Sequence, residues 1–445
     1  MGAVSKNPAF TAWIKAAALP WRTASCRRFN AIRNGGTPSS QTPEFWDGEI
    51  MWLTPDDLGK IKGKSVSESQ RMITDEGVAG SNAAIVPTGS ILLSTRAPIG
   101  HIAIAARETA FNQGCRAIVP SPAIYQSDYL YYYALASRPV LQASGNGTTF
   151  KELSWEDLAS LPLPLIPLEE QEAISSFLDR ETARIDALIG KKRRLLELLE
   201  EKRLAVITHA VTKGLDPNAP MKDSGIEWLG QVPAHWDLKQ LRHVTKLGTI
   251  ITYGIVQAGP DVEDGVPYIR TSDMAGEELP LEGYLRTTPE IDASYARSKV
   301  AEGDLVIAIR ATIGKPLIVP AALDGANLTQ GTAKYSPSEQ MNAQYVRYLL
   351  RSHGAISEFH RLAKGATFKE ITLEMLRKFP VLQPPISEQK DISQWIESKS
   401  GMLVAARNKT AATIMHLQEY RSALITNAVT GKIDVRGEVE KEAAA

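Results

Sequence analysis

Two stretches of the chain place apolar residues every seventh position: Leu178, Ile185, Leu199 and Val206, then Ile396, Leu403, Leu417 and Leu424. The seam breaks at the same rung in both, at Lys192 and at Thr410, and Ile174, Leu188, Leu195, Ile392 and Ala406 widen it. After Pro167 the sequence reaches Lys213 with no proline and only Gly190 inside; after Pro385 a matching run reaches Thr430 with only Gly401. Helices start beyond proline and stop at glycine, so Gly214 and Gly431 mark the expected ends. Each helix would be roughly 65 Å long at about 1.5 Å per residue. Heptad spacing on two similar helices predicts that they pair as a coiled coil. The link after Gly214 is too short to fold the second helix back unaided, which favours antiparallel pairing. The competing expectation is that each helix packs on its own globule.

Shorter alternating runs lie between the helices. Ser90–Ser94 and His101–Ala105 have strand composition around a turn at Pro98-Ile99-Gly100. Asp304–Ala308 and Leu317–Val319 repeat that hairpin around Ile313-Gly314-Lys315-Pro316. The echo is general. Thr149-Phe150-Lys151-Glu152 returns as Thr367-Phe368-Lys369-Glu370, and Glu170-Gln171 returns as Glu388-Gln389, at a constant offset of 218. Upstream it loosens: Trp52–Leu58 aligns with Tyr268–Met274, and Trp21 after Pro20 loosely with Trp236 after Pro233. A period this long describes duplicated domains rather than a solenoid. The expected architecture is therefore two α/β (α+β) globules in tandem, separated by two long antiparallel coiled-coil helices and related by a pseudo-twofold internal repeat. The boundaries are an N-terminal arm 1–19, a first globule 20–166, a helix 167–214, a linker and second globule 215–385, a helix 386–431 and a tail 432–445.

Composition changes this picture little. Hydrophobic residues make up 43% and charged residues 22% of 445 positions, as in a protein with real cores. Lys plus Arg and Asp plus Glu both total 50, and this balance leaves nucleic-acid binding open, because local patches set the field at a surface. Cys26 and Cys115 are too few for a disulfide framework, which fits reduced thiols in a cytoplasm. No apolar run approaches the roughly 18 residues that would span a membrane.

Catalytic patterns are missing. Gly63-Lys64-Ser65 resembles the end of a phosphate loop, but Leu58 stands where the first glycine is needed. Pro55-Asp56-Asp57 lacks a nuclease partner, and Asp57 has a counterpart in Asp273, so a shared turn or cap is expected. There is no Cys–His metal cluster, no dinucleotide fingerprint and no Asn/Asp-Pro-Pro-aromatic tetrad of the amino-methyltransferase kind. Contact chemistry is better represented. Arg96 and Arg310 sit at the same hairpin, and Thr149 with Lys151 and Thr367 with Lys369 follow a glycine turn suited to phosphate. The same threonines could equally cap the helices that follow. Lys60, Lys62, Lys64 and Arg270 complete the candidates for such contacts.

Taken in order, these segments resemble the specificity subunit of Type I restriction-modification enzymes over nearly the whole chain. Gly35-Gly36-Thr37-Pro38-Ser39 and Phe45–Leu58 look like the opening of that family's target recognition domain. Thr149–Glu152, the proline-rich Leu161–Pro167 and Glu170-Gln171 look like the start of its spacer helix. Asp223–Gly230, Val232-Pro233 and Trp236 look like the second recognition domain, and Ile425–Asp434 like the C-terminal signature. The resemblance implies a non-catalytic subunit whose two recognition domains each read one half of a split, asymmetric double-stranded DNA site. It also implies two methyltransferase subunits carrying S-adenosylmethionine and methylating adenine N6, and restriction subunits using ATP and Mg. No cofactor is expected on this chain itself. The competing expectation is a coiled-coil protein–protein scaffold without DNA specificity.

Overall fold

The computed structural model describes residues 7–17, 20–96, 98–145, 151–365 and 369–435. The chain divides into two units, one made of residues 1–191 with 413–445 and the other of residues 192–412. Both long helices cross that division. The first, Leu168–Lys213, has 46 residues and the second, Ile386–Val429, has 44. Pro167 and Pro385 stand directly before them, and Gly214 and Gly431 follow their ends at φ +77° and +71°, the left-handed conformation that stops a helix.

In unit 1 a five-stranded sheet orders its strands Ala31–Asn34, Cys115–Val119, Ile91–Ser94, Ile102–Ala105, Ser65–Val66. The expected hairpin is there, with Ile91 opposite Ile104 and Leu93 opposite Ile102. A smaller sheet centres on Trp46–Leu53, which runs parallel to Thr109–Phe111. The main core gathers Ile91, Leu93 and Tyr129 of the helix Ser127–Ala136 with Leu178, Ile185 and Ile189 of the first long helix. Leu424, Ile425, Ala428 and Val429 of the second long helix complete it. Within this unit the two helix segments are antiparallel. The start of the first helix meets Gln126 through Gln171, and the end of the second meets Tyr129, whose hydroxyl donates to Val429 O at 3.2 Å. Farther along, Arg421 chelates Asp186 at 2.9 and 3.0 Å. The N-terminal arm contains a helix, Pro8–Ala17, whose Phe10 is fully buried and whose Trp13 packs edge-on against Tyr133.

Unit 2 repeats the plan. Its sheet runs Thr252–Tyr253, Thr332–Tyr335, Leu305–Ala308, Pro316–Ile318, and Val266–Ile269 runs parallel to Asn327–Leu328. Ile207, Ala210 and Val211 of the first long helix pack with Ile392 and Ile396 of the second, and Tyr345 of the helix Ala343–Leu350 donates its hydroxyl to Val211 O at 3.2 Å. Each unit therefore holds the beginning of one long helix and the end of the other. The loose Trp21–Trp236 alignment becomes a physical equivalence: Gly431 abuts Pro20 and Trp21, and Gly214 abuts Pro233 and Trp236.

The heptad seam is uneven. Leu178, Ile185, Ile396 and Leu424 are buried, while Leu199, Val206, Leu403 and Leu417 are half-buried. Of the widening positions, Ile174 and Ile392 are buried, but Leu188 and Leu195 are 41% and 38% exposed and Ala406 is exposed too. Burial is deepest where a globule covers the helices, so packing on the globules and pairing with each other both occur. Thr410 fills its seam rung by returning its hydroxyl to Ala406 O at 2.8 Å.

Both cysteines are free and buried. Burial pushes the Cys26 thiol up to about 12, and Cys115 is pushed up by the same cause. A thiol reagent at neutral pH should therefore modify neither in the native protein and both after denaturation, because only the thiolate attacks. Mass spectrometry of alkylated protein checks this; native-state labelling of either would contradict the buried placement.

Candidate nucleic-acid interface

The duplicated Arg and Glu positions meet. Arg96 forms a backbone bridge with Glu152 and an ion pair at 3.2 Å; Arg310 forms the same bridge with Glu370 and an ion pair at 2.6 Å. Each clamp ties the hairpin to the glutamate that ends the Thr-Phe-Lys-Glu motif. Ala311, directly after Arg310, sits at φ +58°, where a residue with a Cβ is strained unless its surroundings hold it. Lys151 and Lys369 flank the clamps and are exposed. Thr149 and Thr367 lie outside the described residues. The short helices after them, Trp155–Ser160 and Leu373–Lys378, are capped five residues later by Ser154, which accepts from Asp157 N, and Thr372, which accepts from Met375 N. The capping expected of the two threonines thus belongs to Ser154 and Thr372.

Most of the other candidate cations are engaged within the fold. Lys60 pairs with Asp56 at 2.5 Å and Arg270 with Asp273 at 2.8 Å. Lys64 sits between Asp128 at 2.6 Å and Asp179 at 2.7 Å. Burial works against its ammonium, but the two carboxylates outweigh it and hold its pKa above the usual lysine value. Lys64 is therefore a structural tie between the sheet, the helix Ser127–Ala136 and the long helix. Lys62 is exposed beside a polar groove of about 440 Å³ formed by residues 57–70. Asp57 and Asp273 are caps: their carboxylates accept from Thr54 N and Arg270 N, both at 2.8 Å.

A pair of buried glutamines is functionally telling, and the sequence marked them only as repeated. Gln171 is fully buried; its Oε1 accepts from Gln126 N at 2.9 Å and its Nε2 donates to Ile124 O and Ile166 O at 2.7 and 3.0 Å. Gln389 does the same with Asn342 N at 2.8 Å and with Gln340 O and Pro384 O at 2.9 and 2.8 Å. These side chains fix the angle at which each long helix leaves its globule. Among the described residues no group of three or more His, Cys, Asp or Glu side chains is placed to hold a metal, and no helix is long and apolar enough to cross a membrane.

A sequence model described as the Type I restriction modification DNA specificity domain matches residues 25–198 and again 233–409. The chain belongs to this family of type I specificity subunits and carries its domain twice. The specificity subunit of the type I restriction enzyme MjaIX from Methanocaldococcus jannaschii is 31% identical over 233 residues, 51% of this chain and 52% of that protein, so that match spans about half the relative's length. The EcoBI specificity subunit of Escherichia coli is 25% identical over 321 residues, 71% of this chain and 68% of the relative. A chain from a structure described as the basis of complex assembly and conformational transition of the type I R-M system covers 93% of this chain and 99% of its own length at TM-score 0.73. At 17% identity that likeness speaks for the fold alone.

Proposed function

We propose that this protein reads one asymmetric, two-part DNA sequence, with a half-site for each unit, and catalyses nothing itself. The observation that carries this reading is the duplication of the specificity domain on a shared scaffold, with two continuous helices that each begin in one unit and end in the other. Similar scaffolds with different side chains suit two different half-sites, unlike the palindrome a symmetric dimer reads. Methyl transfer belongs to two modification subunits that bring S-adenosylmethionine, and cleavage to restriction subunits that use ATP and Mg, all in the cytoplasm. Flipping the target base out of the stack falls to the modification subunits.

The test is to express the chain with its methyltransferase partner and map modified adenines by long-read sequencing. One bipartite motif is expected; no bipartite motif in the presence of an active partner sinks the reading. Removing Lys192–Leu198 from the first helix together with Ala406–Ala412 from the second should bring the half-sites closer by about three base pairs, since seven residues rise about 10 Å. Both half-site sequences should stay as they were. An unchanged gap would refute the helices as the ruler.

A further inference from the structure

The chain is electrically neutral overall, yet no acidic residue occurs between Trp21 and Pro43, which holds Arg22, Arg27, Arg28 and Arg33. None occurs between Leu238 and Pro260 either, which holds Lys239, Arg242, His243 and Lys246. The fold places these runs equivalently. Ser25 pairs with Pro162 and Gln240 with Pro380 across matching two-stranded ladders. Cys26 N then donates to Leu161 O at 2.8 Å, and Leu241 N to Phe379 O at 2.9 Å. A 3₁₀ turn follows in each, Cys26–Arg28 and Leu241–Val244, closed by Asn30 Nδ2 on Cys26 O and by Thr245 Oγ1 on Leu241 O. Arg27 and Arg28 therefore stand where Arg242 and His243 stand.

These cations differ from most of those already described. Arg27, Arg28, Arg33, Arg242 and Lys246 are all exposed, and none has a described carboxylate within 4.0 Å. Arg28 lies over the Phe29 ring at 5.5 Å, and Arg242 donates to His243 Nε2 at 3.2 Å. Glu374, whose carboxyl is held below its usual value first by Lys378 and only weakly by Arg242, is already paired with Lys378 at 3.0 Å. By contrast Lys60, Lys64, Arg96, Arg270 and Arg310 all have acidic partners inside the fold. Exposed guanidinium and ammonium groups without carboxylate partners, on two runs of chain that carry no acid of their own, suit a polyanion.

We propose that these two turns hold the phosphate backbone of DNA: Arg27, Arg28 and Arg33 in unit 1, Arg242 and Lys246 in unit 2. The inference rests on the DNA-reading function above. Cations on phosphates set position without reading sequence, which suits Arg27 and Arg242 recurring at equivalent places in halves whose other surfaces diverge. The divergence begins immediately afterwards. Gly35 and Gly254 are equivalent, since a Cβ on either would lie 2.0 Å from a backbone oxygen, Asn112 O and Leu328 O. Four residues separate Asn30 from Gly35, and eight separate Thr245 from Gly254. The extra length forms a turn closed by Thr249 N on Lys246 O at 3.0 Å, with Leu247 98% exposed at its tip.

The measurement is the salt dependence of binding to a short random-sequence DNA duplex, using the chain with its methyltransferase partner. Two variants are compared with the native chain: Arg27→Gln/Arg28→Gln/Arg33→Gln and Arg242→Gln/Lys246→Gln. A third, Arg361→Gln, removes a cation that Glu358 holds and serves as the control. The logarithmic slope between about 50 and 200 mM salt should become shallower by about 0.9 for each phosphate no longer neutralised, with the control unchanged and the methylated motif the same in all. A steep native slope that the first two variants keep overturns the inference and leaves the DNA reading standing. Loss of partner co-purification at an unchanged slope also overturns it, because the surface then belongs to a protein. A native complex with no salt dependence overturns the inference together with the reading it rests on.

Discussion

Leu424→Ala combined with Ile425→Ala is expected to lower the stability of unit 1 by about 4–10 kcal/mol while leaving unit 2 at its native stability. The two side chains are 9% and 2% exposed, and both lie in the core that holds Tyr129, Leu178 and Ile185. A buried Leu or Ile truncated to Ala costs about 2–5 kcal/mol, made of forfeited transfer energy and the cavity left behind. Domains of this kind are stable by only about 5–15 kcal/mol, so the pair should bring unit 1 close to unfolding. Limited proteolysis resolves the units: cuts should occur within residues 20–145 under conditions where 215–365 stays protected. Equal protection of both units would mean that the end of the second helix contributes little to the first globule.

Gln171→Leu should destabilise unit 1, and Gln389→Leu unit 2, by at least about 3 kcal/mol each, despite the gain in hydrophobicity. Each glutamine satisfies one backbone N–H and two backbone carbonyls in a site without solvent access. Leucine fills the volume but leaves all three groups unpaired, at about 1–3 kcal/mol for each orphaned group. Gln171→Glu discriminates hydrogen bonding from size: it keeps the acceptor for Gln126 N but turns an oxygen towards Ile124 O and Ile166 O, so it should be at least as damaging. Chemical denaturation with a probe in each unit measures these changes. A neutral outcome for leucine would show that the backbone finds other partners.

Elements governed by neighbours in sequence were legible. Pro167 and Pro385 placed the helix starts, Gly214 and Gly431 the stops, and the alternating runs at residues 90–105 and 304–319 the hairpins, since each follows from local backbone restrictions. The heptads located Leu178, Ile185, Ile396 and Leu424 in cores but overstated Leu188, Leu195 and Ala406. Spacing says which side chains share a stripe, and only the packed globules say how far along it the cover extends. The cations were least legible. Lys64 finds Asp179 at a separation of 115 residues and Arg310 finds Glu370 at 60, pairings that no local pattern encodes. The acid-free runs at 21–43 and 238–260 were present in the sequence throughout, but a net charge of zero hides them because it sums over surfaces that never face the same partner.

Unit 1 contains the chain's beginning and its last described helix segment, whereas unit 2 is one continuous stretch between them. The order of synthesis then matters. A nascent chain makes the first globule early, but Tyr129, Leu178 and Ile185 lack their cover until Leu424 and Val429 emerge. All of unit 2 must be translated in between, on the order of tens of seconds at roughly 5–20 residues per second. During that interval the first globule presents an apolar surface to chaperones and proteases. A chain broken off before residue 413 never closes it, so unfinished copies carry a mark that finished ones have hidden.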